Sequence, residues 1–161
     1  AELKSPSIEI ACDGSYSQIS GVIGWAWSDG HGATARGAID PSVRLKKVQK
    51  MDAHTAELLA AWHVLNSHMD QSLRILTDSQ YVIDQVVNQK SVSRDHPRRG
   101  LVNAIRVMVK ERADRNIRTM FIKVKAHDGH DANEEADMLA VRARVAREEA
   151  ISQRPTRSVS K

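Results

Sequence analysis

The feature that most constrains this chain is a change of hydrophobic period near residue 40. Before it, Ile8–Asp13 alternates apolar and other residues with a period of two, and Val22–Trp27 and Thr34–Ile39 read as a second and a third strand. Each is followed by a breaker: Gly14, then Ser28-Asp29-Gly30, then Pro41. Alternation of this kind places one side of a segment in a core and the other in water, which is a strand. Beyond residue 40 the period lengthens. Leu58, Trp62, Leu65 and Met69 step by four, three and four, one stripe of a helix over roughly Ala53–Met69. Leu73–Asp78 is a short strand, Ser79 and Gln80 open a helix to about Asn88, and residues 89–100 form a loop. Leu101, Ile105, Met108 and Arg112 mark a helix over Leu101–Ala113, Thr119–Val124 is a strand, and residues 126–132 form a His/Asp/Gly loop. Asn133 to about Ile151 is a long helix rich in Ala, Arg and Glu. Three strands in an antiparallel meander, then helices alternating with strands, predict an α/β fold: a mixed five-stranded sheet with two parallel strands and helices on both faces.

With 161 residues the chain has room for one domain. We read residues 1–7 as a flexible N-terminus, 8–151 as the domain, and 152–161 as a basic, disordered tail. A single cysteine, Cys12, excludes a disulfide framework and a Cys-rich zinc site within one chain. Apolar runs are short, so no membrane partner is expected, and Ala1–Pro6 has no apolar signal core. These features predict a monomer in a reducing, cytoplasmic setting.

Charge is unevenly spread. The net charge is +4, and residues 138–161 alone carry six basic and two acidic side chains, so residues 1–137 sum to zero. Within that neutral part, residues 90–118 hold nine basic side chains against three acidic ones. Residues 128–137 hold Asp128, Asp131, Glu134, Glu135 and Asp137 with no base. Basic surface beside dense acid suits a polyanion held near bound cations, although solvated helix faces give the same composition.

Two strands finish in an aspartate, Asp13 and Asp78. As parallel neighbours they would bring both carboxylates to the carboxyl edge of the sheet, where ligands of open α/β sheets gather. Glu57 lies one residue off the helical stripe and Asp137 in the first turns of the last helix. Four carboxylates from four elements would converge. Crowded carboxylates raise one another's pKa unless cations hold them apart, and oxygen donors suit Mg²⁺ or Mn²⁺. Taken singly, Asp13 fits a turn, Asp78 a helix cap, and Glu57 and Asp137 solvated helix positions.

The segments Asp13-Gly14-Ser15, Thr55-Ala56-Glu57-Leu58, Thr77-Asp78-Ser79-Gln80 and Val124–Asp137 resemble the motifs of type 1 ribonuclease H. The resemblance covers about residues 8–145, and the last motif is the most specific. It implies a ribonuclease H-like fold and an endoribonuclease that cuts the RNA strand of RNA–DNA hybrids with two Mg²⁺ ions, Mn²⁺ being a possible substitute, leaving 5′-phosphate and 3′-hydroxyl ends. By the same resemblance Asp13 bridges both ions, Glu57 and Asp78 hold one, Asp137 completes the other, and His127 aids proton transfer or product release. Gly14 and Ser15 would meet the RNA strand, Gln80 a base edge in the minor groove, and Asn133 matches the family's Asn before the last Asp. His130 is assigned to the surface, and zinc on His127 and His130 is disfavoured because Cys12 lies far away in a strand.

The chain also departs from the family. Ala53 replaces an Asn that touches RNA, and Asp52 falls near a Thr that helps bind a DNA phosphate, where a carboxylate would repel it. Either the segment is shifted, or the DNA strand is gripped differently. The tryptophan-bearing basic handle of bacterial members is reduced here to Lys90, Arg94, Arg98 and Arg99, an arginine-based handle, and Trp25, Trp27 and Trp62 are assigned to packing. Three alternatives stand beside the main reading: a module that binds hybrid or double-stranded RNA without cutting it, the same domain from a reverse transcriptase, and another metal nuclease on this fold.

Overall fold

The opening alternation produces the meander. In a computed structural model that describes residues 7–43, 48–125 and 131–153, β1 (Ile8–Tyr16), β2 (Ile23–Ser28) and β3 (Thr34–Ile39) pair antiparallel, with Asp13 opposite Ala26 and Trp27 opposite Ala35. Two later strands, β4 (Leu73–Thr77) and β5 (Thr119–Lys123), extend the sheet in parallel, giving the order β3-β2-β1-β4-β5. The expected α/β fold with a mixed five-stranded sheet is therefore the observed one. Several boundaries shift by a residue or two, and the largest difference among the strands is in β1. β1 does not stop at Asp13 but runs on to Tyr16, because Gly14 and Ser15 pair with Trp25 and Gly24 of β2.

The helices are α1 (Ala53–Ser67), α2 (Gln80–Val82), α3 (Arg99–Asp114) and α4 (Asp131–Ser152), with α2 running into a π-helical turn over Ile83–Val87. Period two in β1 sorts its side chains between two cores. Ile10 and Cys12 join Leu58, Val64 and Leu65 of α1, Ile75 of β4, and Leu101 and Ile105 of α3. Ala11 faces the other way, with Leu76 of β4 and Ala132 and Ala136 of α4. Helices thus cover both faces.

Helix α1 is buried on more than one stripe, from Thr55 through Leu59, Ala60 and Ala61 to Val64 and Leu65, since it packs against the sheet and against α3. It ends two residues before Met69, which is 52% exposed instead of completing the expected stripe. Arg112, the last member of the α3 stripe, is 3% exposed. Its guanidinium donates to the carbonyls of His68 (2.7 Å) and Gln71 and to the Thr119 hydroxyl (2.8 Å), closing the turn between α1 and β4 and tying it to β5. Trp25 stacks on His63 of α1 at 3.5 Å between ring centroids, a packing role. Burial holds the His63 pKa down at about 4. Among the described residues, no helix is long and apolar enough to cross a membrane.

Candidate carboxylate site

The site begins with a glycine. A Cβ on Gly14 would lie 2.4 Å from the Ala56 carbonyl carbon and 2.6 Å from the Glu57 nitrogen. Only a residue without one lets β1 pass this close to α1. The contact becomes a hydrogen bond, with the Gly14 N–H donating to Glu57 Oε1 at 2.5 Å. Glu57 is therefore held over β1 beside Asp13, which is 6% exposed.

Asp78 arrives by register. β1 and β4 pair Ile8 with Leu73 and Ala11 with Leu76, and the same offset places Asp13 beside Asp78. The capping role open to Asp78 belongs instead to Ser79, whose Oγ accepts from the Val82 N–H at 3.2 Å. One carboxylate oxygen each of Asp13, Glu57 and Asp78 lies within 4.8 Å of the others. Asp137 comes from the second turn of α4, on the face of β1 toward which Ala11 points, and its charge and hydrogen bond act on Asp13.

The electrostatics follow from this crowding. The Asp13 pKa is pushed up to about 8, first by burial and then by the neighbouring charges of Asp78 and Asp137, with a hydrogen bond from Glu57 opposing. Burial and the Asp13 charge push Glu57 well above the ordinary carboxylate range. The Cys12 thiol beneath is raised by burial and by the same carboxylates. All-oxygen donors that repel one another when ionised fit a hard divalent cation, which would replace the repulsion with coordination.

The predicted substrate residues are placed as follows. Ser15 Oγ accepts from Arg144 Nε at 2.8 Å, and Arg144 pairs with Glu148 at 2.9 Å. Gln80 is exposed, donating to Asp84 at 2.9 Å and accepting from Lys123 at 3.3 Å. Asn133 is buried in the first turn of α4. Lys90 pairs with Asp84 at 3.2 Å, Arg94 is exposed, and Arg99 is half-buried at the start of α3. His127 and His130 lie outside the described residues, as does the expected tail from residue 154 onward.

Asp52 does not stand open to a phosphate. It caps α1, accepting from the Thr55 N–H at 2.7 Å, and pairs with Arg98. Burial opposes its ionisation, but the Thr55 hydrogen bonds and the Arg98 charge prevail and lower its pKa. Tyr81, which donates no recognisable motif, receives Arg98 Nε on its hydroxyl at 2.9 Å and stacks on His54. The sequence carries no local sign of this contact, because its partners are far apart along the chain.

Acidic side chains gathered at the carboxyl edge of a mixed sheet form a candidate site for a divalent metal ion. The comparisons are more specific: the RNase H family model matches residues 5–145, and the chain belongs to the RNase H family. Membership points to ribonuclease H activity in general, to RNA–DNA hybrids as partners and to divalent metals as cofactors. Among solved structures, the chain is similar to the N-terminal RNase H domain of Rv2228c from Mycobacterium tuberculosis, determined as a fusion with maltose binding protein. The likeness has a TM-score of 0.64 at 18% identity and covers 90% of this chain and 99% of that one, which supports the shared fold. A comparison with curated protein sequences finds no match.

Proposed function

We propose that the chain is an endoribonuclease that hydrolyses the RNA strand of RNA–DNA hybrids by two-metal chemistry. The observation that carries this reading is the meeting of Asp13, Glu57 and Asp78, from three elements far apart in sequence, within 4.8 Å. Asp13, Glu57, Asp78 and Asp137 would hold two Mg²⁺ or Mn²⁺ ions, which when bound supply an activated water and charge stabilisation at the phosphate. The Gly14 N–H keeps Glu57 oriented toward that centre. Gly14, Ser15 and Gln80 would address the RNA strand, whose shallow minor groove displays 2′-hydroxyls. Lys90, Arg94 and Arg99 would meet phosphates. In the reaction a water oxygen bonds to phosphorus and the bond from phosphorus to O3′ breaks. A proton goes to the departing O3′, leaving 5′-phosphate and 3′-hydroxyl ends. His127 would aid that proton transfer or product release.

The test is a panel of labelled hybrid, single-stranded RNA, double-stranded RNA and double-stranded DNA, each with Mg²⁺, Mn²⁺ or EDTA. Cleavage of the RNA strand in hybrid alone, abolished by EDTA, is the expected result. Hybrid bound but never cut would instead establish a binding module, and cutting in EDTA would remove the metals from the reading.

A further inference from the structure

The segment between the π-helical turn and α3 is tied down at both ends. At one end Arg106 of α3 donates to the carbonyls of Gln85 (2.7 Å) and Lys90 (2.9 Å). At the other, Arg98 pairs through Nη1 with Asp52, the cap of α1, and donates through Nε to the Tyr81 hydroxyl at 2.9 Å. The guanidinium carbon lies 4.8 Å from the centre of the Tyr81 ring, and the other partner of that ring is His54, at 4.2 Å. The Arg98 N–H also donates to His96 Nδ1 at 3.1 Å, tightening the approach. The Arg98 and Asp52 side chains are only 13% and 20% exposed. A fork this engaged and this dry would have to leave Asp52 uncompensated in order to reach a phosphate.

We propose that Arg98 is a positioning residue: with Asp52 and Tyr81 it clasps the basic segment 89–99 onto the N-terminus of α1, so that Lys90, Arg94 and Arg99 meet the hybrid at a set distance from the carboxylates. The inference rests on the proposed function for its ligand but not for its mechanics. Asp52 and Tyr81 each sit a few residues from a carboxylate of the site, Glu57 and Asp78 respectively. The clasp therefore ties the substrate-holding segment to the two elements that present the reacting centre. It acts on how the hybrid is held and leaves the chemical step alone.

The decisive variant is Asp52→Asn, because Asn caps a helix as well as Asp does and the start of α1 is preserved. If Arg98 were a direct phosphate contact restrained by Asp52, freeing it would tighten hybrid binding. The log K against log salt slope would then steepen by about 0.9. The clasp predicts the opposite sign. Asp52→Asn and Arg98→Gln should each weaken hybrid binding in Ca²⁺ and raise KM roughly tenfold with kcat unchanged. The double variant should be no worse than the worse single. Arg98→Lys keeps the charge but lacks the fork that serves two acceptors, so it should rescue little. Amide exchange over residues 89–97 should quicken in all of these. Tighter binding by Asp52→Asn, or amide exchange matching the parent, overturns the clasp. A parent chain that neither binds nor cuts hybrid overturns the proposed function instead, and the exchange measurement then decides the clasp by itself.

Discussion

Asp52 and Glu57 stand at the same end of the same helix and their carboxyls are shifted in opposite directions. Asp52 is answered inside the protein, by the Thr55 N–H and by Arg98, and its pKa falls. Glu57 is answered by one N–H, from Gly14, and otherwise looks onto Asp13 and Asp78, so its pKa rises. The contrast separates two uses of a buried acid. A charge the fold has already neutralised is scaffold. A charge the fold has crowded against its own kind is waiting for something from outside, and the energy stored in that crowding favours a cation.

Removing one of the crowded charges tests this most severely. Asp78→Asn should lower turnover by roughly 10³-fold or more, since a lost ligand weakens both water activation and charge stabilisation. The same substitution should raise the metal-free melting temperature, because a repelling charge has gone. Turnover within tenfold of the parent, or a lower melting temperature without metal, would collapse the distinction. Next in size is Gly14→Ala. A methyl so near the Ala56 and Glu57 backbone has no flexible neighbour to displace, so the substitution should cost about 3 kcal/mol. At 2–4 °C per kcal/mol, that is roughly 10 °C in melting temperature. Activity should be lost with it, through displacement of Glu57.

The pH dependence sharpens the comparison. Asp13 has a folded pKa of about 8 against an ordinary value of 3.8. The folded state therefore holds a proton that the unfolded chain releases, and stability declines as pH rises between these values. Without metal, the melting temperature should fall from pH 4 to pH 8, and Mg²⁺ should raise it more at pH 8 than at pH 5. A Mg²⁺ effect equal at both would mean that the carboxylates do not hold the ion. The smallest expected effect is that of Arg94→Gln on the exposed segment. It should leave melting unchanged and reduce the salt slope of hybrid binding by about 0.9.

What the sequence revealed divides along the range of the interactions. Strand β1 was legible because alternation is local, the other strands because each is a short run bounded by breakers or helices, and the parallel pairing of β1, β4 and β5 followed from the helices between them. Asp13 and Asp78 could be placed together from the ends of two strands, and Glu57 from its position beside a stripe. Gly14 misled. It read as the end of a strand, whereas it is the point at which a helix touches one, and nothing adjacent in the chain records that contact. Arg112 read as part of an apolar stripe because its stem lies on the buried face, while its guanidinium closes carbonyls contributed by another turn. The Asp52–Arg98 pair was invisible for the same reason: its members lie in segments that only the finished fold brings together.

Helix α4 meets the sheet almost without side chains. Ala132, Ala136, Ala140 and Ala143 line its buried face, and a Cβ on Gly24 of β2 would lie 2.1 Å from the Ala140 carbonyl oxygen. At Gly24 the helix is therefore set down nearly backbone to backbone. Between two large side chains, a neighbour can shift and absorb an added methyl. Here an added methyl lifts the whole rod, and with it Asp137. The alanines work as shims of fixed thickness, so the reach of the fourth carboxylate toward Asp13 is set by what is missing under the helix.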